Sequence, residues 1–164
     1  MDGIEQEVGK NAGFLVWRLA TEWRAAMDRV LEPVGLTQAQ YAVLAPLYAM
    51  SRDGHRPSQR QVADVTGIDA VYISRLVRTL ERGGLVTRAA SAADTRAVEL
   101  AVTEQGSAVL QKAVQAVFEL RDRLTAPLGG NDGARTAELA AMLRELLAVP
   151  EIADRSPRSP RSPR

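Results

Sequence analysis

Residues 58–82 read SQRQVADVTGIDAVYISRLVRTLER, and with GGLVTR at 83–88 and AVELAVTEQG at 97–106 they decide the fold. Ser58 followed by Gln61 is a capping-box pattern, which satisfies orphan backbone donors at a helix start. A short helix therefore carries Val62, Ala63 and Val65 and stops at Thr66-Gly67, where glycine takes a left-handed turn that other side chains resist. Asp69 caps the next helix, whose Ile73, Leu76, Val77 and Leu80 recur at helical spacing until Gly83-Gly84 ends it. Leu85 to Arg88 and Ala97 to Val102 read as two strands, the second alternating Val98, Leu100 and Val102 against Ala97, Glu99 and Ala101. Short helix, three-residue turn, longer helix and hairpin make a helix-turn-helix with a wing.

Helical periodicity dominates on both sides of this stretch. Leu15, Val16, Leu19, Trp23, Ala26, Met27 and Val30 predict a long first helix that Pro33 and Gly35 close. Thr37 with Gln40 opens a second, carrying Tyr41, Val43, Leu44, Leu47 and Tyr48 to about Met50. After the hairpin, Thr103 caps a fifth helix with Leu110, Ala113, Val114, Val117, Phe118 and Leu124, which Pro127 and Gly129-Gly130 break. A sixth presents Leu139, Met142, Leu143, Leu146 and Leu147, with Pro150 beyond it. From Ser156 the chain repeats Ser-Pro-Arg three times without an apolar residue, a composition that builds no core and reads as disordered. The expected fold is mainly α with a small β-hairpin wing: a winged helix-turn-helix lobe plus a helical dimerisation lobe. Its parts are an N-terminal dimerisation helix (1–36), a DNA-binding lobe (37–103), C-terminal dimerisation helices (104–150) and the tail (151–164).

Composition narrows the function. A chain of 164 residues, 46% hydrophobic and 25% charged, suits one soluble domain with its own core. Cysteine is absent and His55 is the only histidine, which excludes thiol chemistry, zinc–cysteine sites and a histidine cluster within one subunit. There is no phosphate loop and no Gly-x-Ser-x-Gly elbow, so neither an enzyme nor a bound cofactor or metal is expected. Lacking a signal peptide or a long apolar run, the chain is expected in the cytoplasm, away from membranes. Its 21 basic and 20 acidic residues give a net charge of +1, yet without Arg155, Arg158, Arg161 and Arg164 that charge is −3. The tail reads either as an auxiliary cationic arm for nucleic acid or as a solvated terminus.

The candidate chemistry lies on the longer helix of the helix-turn-helix. At about 100° per residue, Val71, Arg75, Arg78 and Arg82 fall opposite the apolar stripe, flanked by Ala70, Tyr72, Ser74 and Thr79. Such a face is either ordinarily solvated or built for DNA, since arginine can bond guanine O6 and N7 together or clamp a phosphate. At the hairpin, Arg88 ends the first strand and Arg96 begins the second, with Asp94 at the tip. Arginines so placed suit a minor groove, where Asp94 either holds the tip by an ion pair or is surface decoration. Trp17 and Phe14 sit on the side of the first helix otherwise occupied by Thr21, Arg24 and Asp28. They either pack into a partner subunit or line a ligand pocket with Arg18, Tyr41 and Tyr48. The outer helices carry more apolar stripe than the winged core covers, which predicts a homodimer. Two-fold symmetry then predicts an inverted-repeat operator with half-sites about 10 base pairs apart.

The run from Val62 to Gly106, with LERGGLV at 80–86, DTR at 94–96 and TEQG at 103–106, resembles the MarR family of bacterial transcription regulators. The resemblance spans residues 10–148. It implies homodimers with intertwined terminal helices, a recognition helix from Asp69 to Arg82 in the major groove of double-stranded DNA, and small-molecule effector sites between the dimer helices and the DNA-binding lobe. It also marks departures. Thr95 stands where the family's wing often has a second arginine, and Ala70 and Tyr72 stand where arginine and threonine are common. The expectation is a dimeric, ligand-responsive regulator acting as a repressor. The alternatives are an activator or antirepressor, or a sequence-independent architectural DNA binder.

Overall fold

The computed structural model describes residues 11–51, 54–91 and 97–153. In order these form α1 (Ala12–Leu31), α2 (Gln38–Met50), α3 (Gln59–Thr66), α4 (Ala70–Arg82), β1 (Val86–Ala90), β2 (Val98–Val102), α5 (Glu104–Thr125), α6 (Ala134–Leu147) and a short α7 (Pro150–Ala153). The chain divides into two compact units, residues 1–120 and 121–164.

In the first unit every helix start carries its own local reason. The Thr37 hydroxyl accepts from the Gln40 N–H while the Gln40 side chain accepts from the Thr37 N–H, and Ser58 and Gln61 repeat this reciprocal box. Leu31 hands α1 over to a 3₁₀ turn at Glu32–Val34, which Gly35 ends in the left-handed region at φ 73°. Gly67, at φ 65°, does the same between α3 and α4. Pro46 lies inside α2 without ending it. The helices enclose Leu31, Val43, Leu44, Leu47, Val62, Ile73, Val77, Leu80, Val86 and Leu100, all buried. Only the C-terminal end of α1 enters this core, through Ala26, Met27 and Leu31, whereas α5 contributes Leu110, Ala113, Val117 and Leu120.

The hairpin departs from the sequence reading at its ends. β1 runs Val86–Ala90, not Leu85 to Arg88, because the Leu85 N–H is taken by the Leu80 carbonyl at 3.0 Å and so closes α4. Beyond Arg88 the ladder continues through Ala89↔Glu99 and Ala90↔Val98 to a Ser91 N–H donated to Ala97. Arg88 is therefore the middle residue of its strand, opposite Leu100. β2 begins at Val98, one residue later than expected. The segment before α3 joins this sheet: the Leu100 N–H donates to the Pro57 carbonyl at 2.9 Å, and Ser58 bridges Glu99.

A close approach fastens α5 to the start of the wing. A side chain at Gly106 would collide with the Leu85 carbonyl oxygen and come within 2.9 Å of Val102 Cγ1. Thr103 stitches the same corner, its hydroxyl donating to the Gly84 carbonyl at 2.7 Å and accepting from the Gly106 N–H at 2.9 Å.

In the second unit, the end of α5 passes through a 3₁₀ turn at Ala126–Leu128 to Gly129 and Gly130, both at positive φ. Asp122 accepts from the Asn131 N–H, and the Thr136 hydroxyl donates to the Gly130 carbonyl. No residue of α6 is buried. The sequence placed Pro150 beyond the last helix, whereas here it starts α7, a position where its fixed φ is already helical and its missing N–H costs nothing. Among the described residues no helix is long and apolar enough to cross a membrane.

Candidate nucleic-acid interface

α4 separates its two faces cleanly. Ile73, Leu76, Val77 and Leu80 are buried, while Ala70, Val71, Tyr72, Arg75, Arg78, Thr79 and Arg82 are exposed and Ser74 is half-buried. The carboxylate of Asp69 fixes the start of the helix by accepting from the N–H groups of Val71 and Tyr72 at 2.9 and 3.1 Å. The predicted stripe therefore stands on a rigid support, anchored by its inner face and capped at its leading end.

Its arginines are not equivalent. Arg82 folds back on its own helix, donating from Nη2 to the Thr79 hydroxyl at 3.2 Å and from Nε to the Arg78 carbonyl. Thr79 in turn donates to the Arg75 carbonyl. Arg75 and Arg78 have no ion-pair partner among the described residues. They are three residues apart, about 4.5 Å along the axis, so both guanidinium groups reach outward from one patch. Such a pair is equipped for guanine edges or phosphate oxygens.

The wing is only partly in view. Arg88 pairs with Glu81 across 3.3 Å, tying β1 to the last turn of α4, with both side chains partly exposed. The guanidinium that the sequence assigned to DNA is thus already engaged by a carboxylate of α4. Asp94 and Arg96, like residues 154–164 with the Ser-Pro-Arg repeats, lie outside the described residues.

The four residues expected around a ligand pocket occupy different surroundings. Trp17 is 63% exposed on α1 and its ring lies 5.8 Å from that of Phe14. Arg18 is exposed, Tyr41 packs half-buried against the core, and Tyr48 is exposed on α2. A groove of about 440 Å³ where α1 meets α2 is lined by Asp28, Arg29, Glu32, Gly35, Leu36 and Thr37, and includes none of these four.

Sequence reasoning missed Glu81 and the second role of Thr103. Glu81 reads as an ordinary solvated position in the last helical turn, and no periodicity links it to a strand residue seven positions on. Thr103 carries a cap signal, but its hydrogen bond to Gly84 spans 19 residues.

Comparison with known proteins bears on the family and the fold. The family model described as MarR family matches residues 34–97. The Bacillus subtilis protein YdcH, an uncharacterized HTH-type transcriptional regulator, is 30% identical over 108 residues, covering 66% of this chain and 74% of the relative. Among solved structures, the Staphylococcus aureus MepR–DNA complex superposes with a TM-score of 0.75 at 26% identity, covering 84% of this chain and 96% of that one. The Mycobacterium tuberculosis regulator MOSR, also solved with DNA, gives a TM-score of 0.66 at 28% identity with the same two coverages, 84% and 96%.

Proposed function

Since the chain belongs to the MarR family of transcription regulators, we propose that it acts as a homodimeric, sequence-specific repressor whose inverted-repeat operator is released by a small-molecule effector. The observation that carries this reading is the exposed stripe of α4, where Arg75 and Arg78, without ion partners among the described residues, project from a helix buried along its opposite face. Relatives of this architecture have been solved on DNA, which supports the same use of α4 here. In this reading residues 37–103 form the DNA-binding lobe, while 1–36 and 104–150 supply dimerisation helices. Ala70, Val71, Tyr72, Ser74, Arg75, Arg78, Thr79 and Arg82 face the major groove, and Arg88, Asp94 and Arg96 belong to the wing.

Exposed apolar surface supports the dimer. Leu15, Val16, Trp17 and Leu19 on α1 are each at least 45% exposed. Within the second unit, Met142, Leu146 and Leu147 are exposed on a helix with no buried residue. Apolar surface of this extent marks an interaction face. Repression needs only that a bound dimer occlude a promoter, and a DNA partner sets the working compartment as the cytoplasm. An aromatic or phenolic effector near Trp17, Arg18, Tyr41 and Tyr48 would favour a dimer with misplaced recognition helices and release DNA by population shift.

Selection from a random duplex library at about 150 mM salt, where purely electrostatic binding is suppressed, tests the core of the reading. An enriched inverted repeat with half-sites about 10 base pairs apart is expected. Absence of enrichment from a folded dimer favours an architectural DNA binder instead. Calorimetry with a set of aromatic acids and phenols tests the effector, and that part is abandoned if none binds and none weakens DNA binding.

A further inference from the structure

The exposed stripe of α4 changes chemistry along its length. At about 100° per residue, Val71, Arg75, Arg78 and Arg82 stay within about 60° of one another, so they form a single row. Its trailing positions are cationic, but its leading end is apolar: Val71 is 64% exposed and Tyr72, beside it, 47%. Neither residue belongs to the core or packs against it. A helix start ordinarily offers its free N–H groups to a phosphate. Here the Asp69 carboxylate already accepts from the N–H groups of Val71 and Tyr72, and its charge repels a second anion. The leading end of α4 is therefore unsuited to the DNA backbone and suited to what lies between the backbones. On the floor of the major groove the distinctive apolar group is the C5-methyl of thymine.

We propose that Val71 reads a thymine methyl in each half-site, with Tyr72 closing the contact from one side. The inference rests on the reading of α4 as a recognition helix and adds to it a base identity and a position. Val71 precedes Arg75 by about 6 Å along the helix axis, roughly two base-pair steps of 3.4 Å. The thymine accordingly lies about two base pairs from the position that Arg75 contacts. The same row thus reads an apolar edge at its front and hydrogen-bonding edges behind it.

The test uses the full-length protein and the operator recovered by library selection. Each thymine is replaced in both half-sites by deoxyuridine, which lacks only the methyl group, and affinity is measured for the wild type and for Val71→Ser. At one position, about two steps from the base pair where Arg75→Ala relaxes preference, the replacement should weaken wild-type binding roughly tenfold, the effect of two buried methyls. Val71→Ser should bind the thymine and deoxyuridine duplexes equally. The proposal is overturned if no deoxyuridine position weakens the wild type, or if Val71→Ser keeps the full thymine preference. Val71 is 64% exposed and outside the core, so Val71→Ser leaves the fold intact, and the wild-type comparison by itself overturns the proposal if no position responds. Failure to enrich any sequence overturns the recognition-helix reading beneath it, whereas an enriched operator indifferent to the methyl overturns this inference alone.

Discussion

Arg75 stands on the exposed face of a helix whose opposite face is buried and has no ion partner among the described residues. Replacing it with alanine leaves the core untouched, so the change acts on binding and not on folding. If its fork reads a guanine, Arg75→Ala should cost about 1–3 kcal/mol of affinity and relax preference at one base position per half-site. A phosphate contact instead predicts uniform weakening across sequences and a salt slope shallower by about one. Anisotropy titrations on operator and point-mutated duplexes at several salt concentrations separate the two outcomes. Arg82 provides an internal contrast, because its guanidinium is already hydrogen-bonded to Thr79 and Arg78. Arg82→Ala should therefore weaken binding less than Arg75→Ala in the same titrations.

Between the elements, the most sensitive joint is where α5 meets the start of β1. Gly106 is buried there against the Leu85 carbonyl, with Thr103 bonded to both Gly84 and Gly106. An added methyl forces the two segments apart, so Gly106→Ala should destabilise the fold by about 1–3 kcal/mol, read as a lower urea midpoint at unchanged slope. An unchanged midpoint would show that the joint yields freely. Much of this architecture is legible in the sequence because its signals are local. The boxes at Thr37 and Ser58, the Asp69 cap and the Gly67 turn each lie within four residues and appear as expected. The stripe of α4 is equally legible, since periodicity alone separates Arg75 and Arg78 from Leu76 and Val77. Strand limits are not, because they are set by distant partners. The Leu85 N–H is drawn back to Leu80, the ladder extends from Ser91 to Ala97, and Pro57 reaches Leu100. The Glu81–Arg88 pair escapes sequence for the same reason: it joins a helix end to a strand through a turn whose course no local pattern dictates.

For the whole molecule, assembly and charge are separate questions with separate tests. The row Met142, Leu146 and Leu147 is exposed on α6, so glutamate at both Leu146 and Leu147 should shift a sedimenting dimer toward monomer. Operator affinity should fall with it, because two linked half-sites bind far more tightly than either alone. A double variant that stays dimeric would remove this face from the interface. The Ser-Pro-Arg tail, outside the described residues, acts through charge instead. Deleting residues 155–164 removes four arginines and no acid, taking the chain from +1 to −3. Each arginine that neutralises a phosphate contributes about one unit to the dependence of log affinity on log salt. If the tail is a cationic arm, the deletion should flatten that slope by about one per engaged arginine and weaken binding most at low salt. Base preference should stay as it was, because phosphate contacts carry no sequence information. An unchanged slope would mean that the tail takes no part, and that Arg75, Arg78 and the wing hold an otherwise acidic protein on DNA.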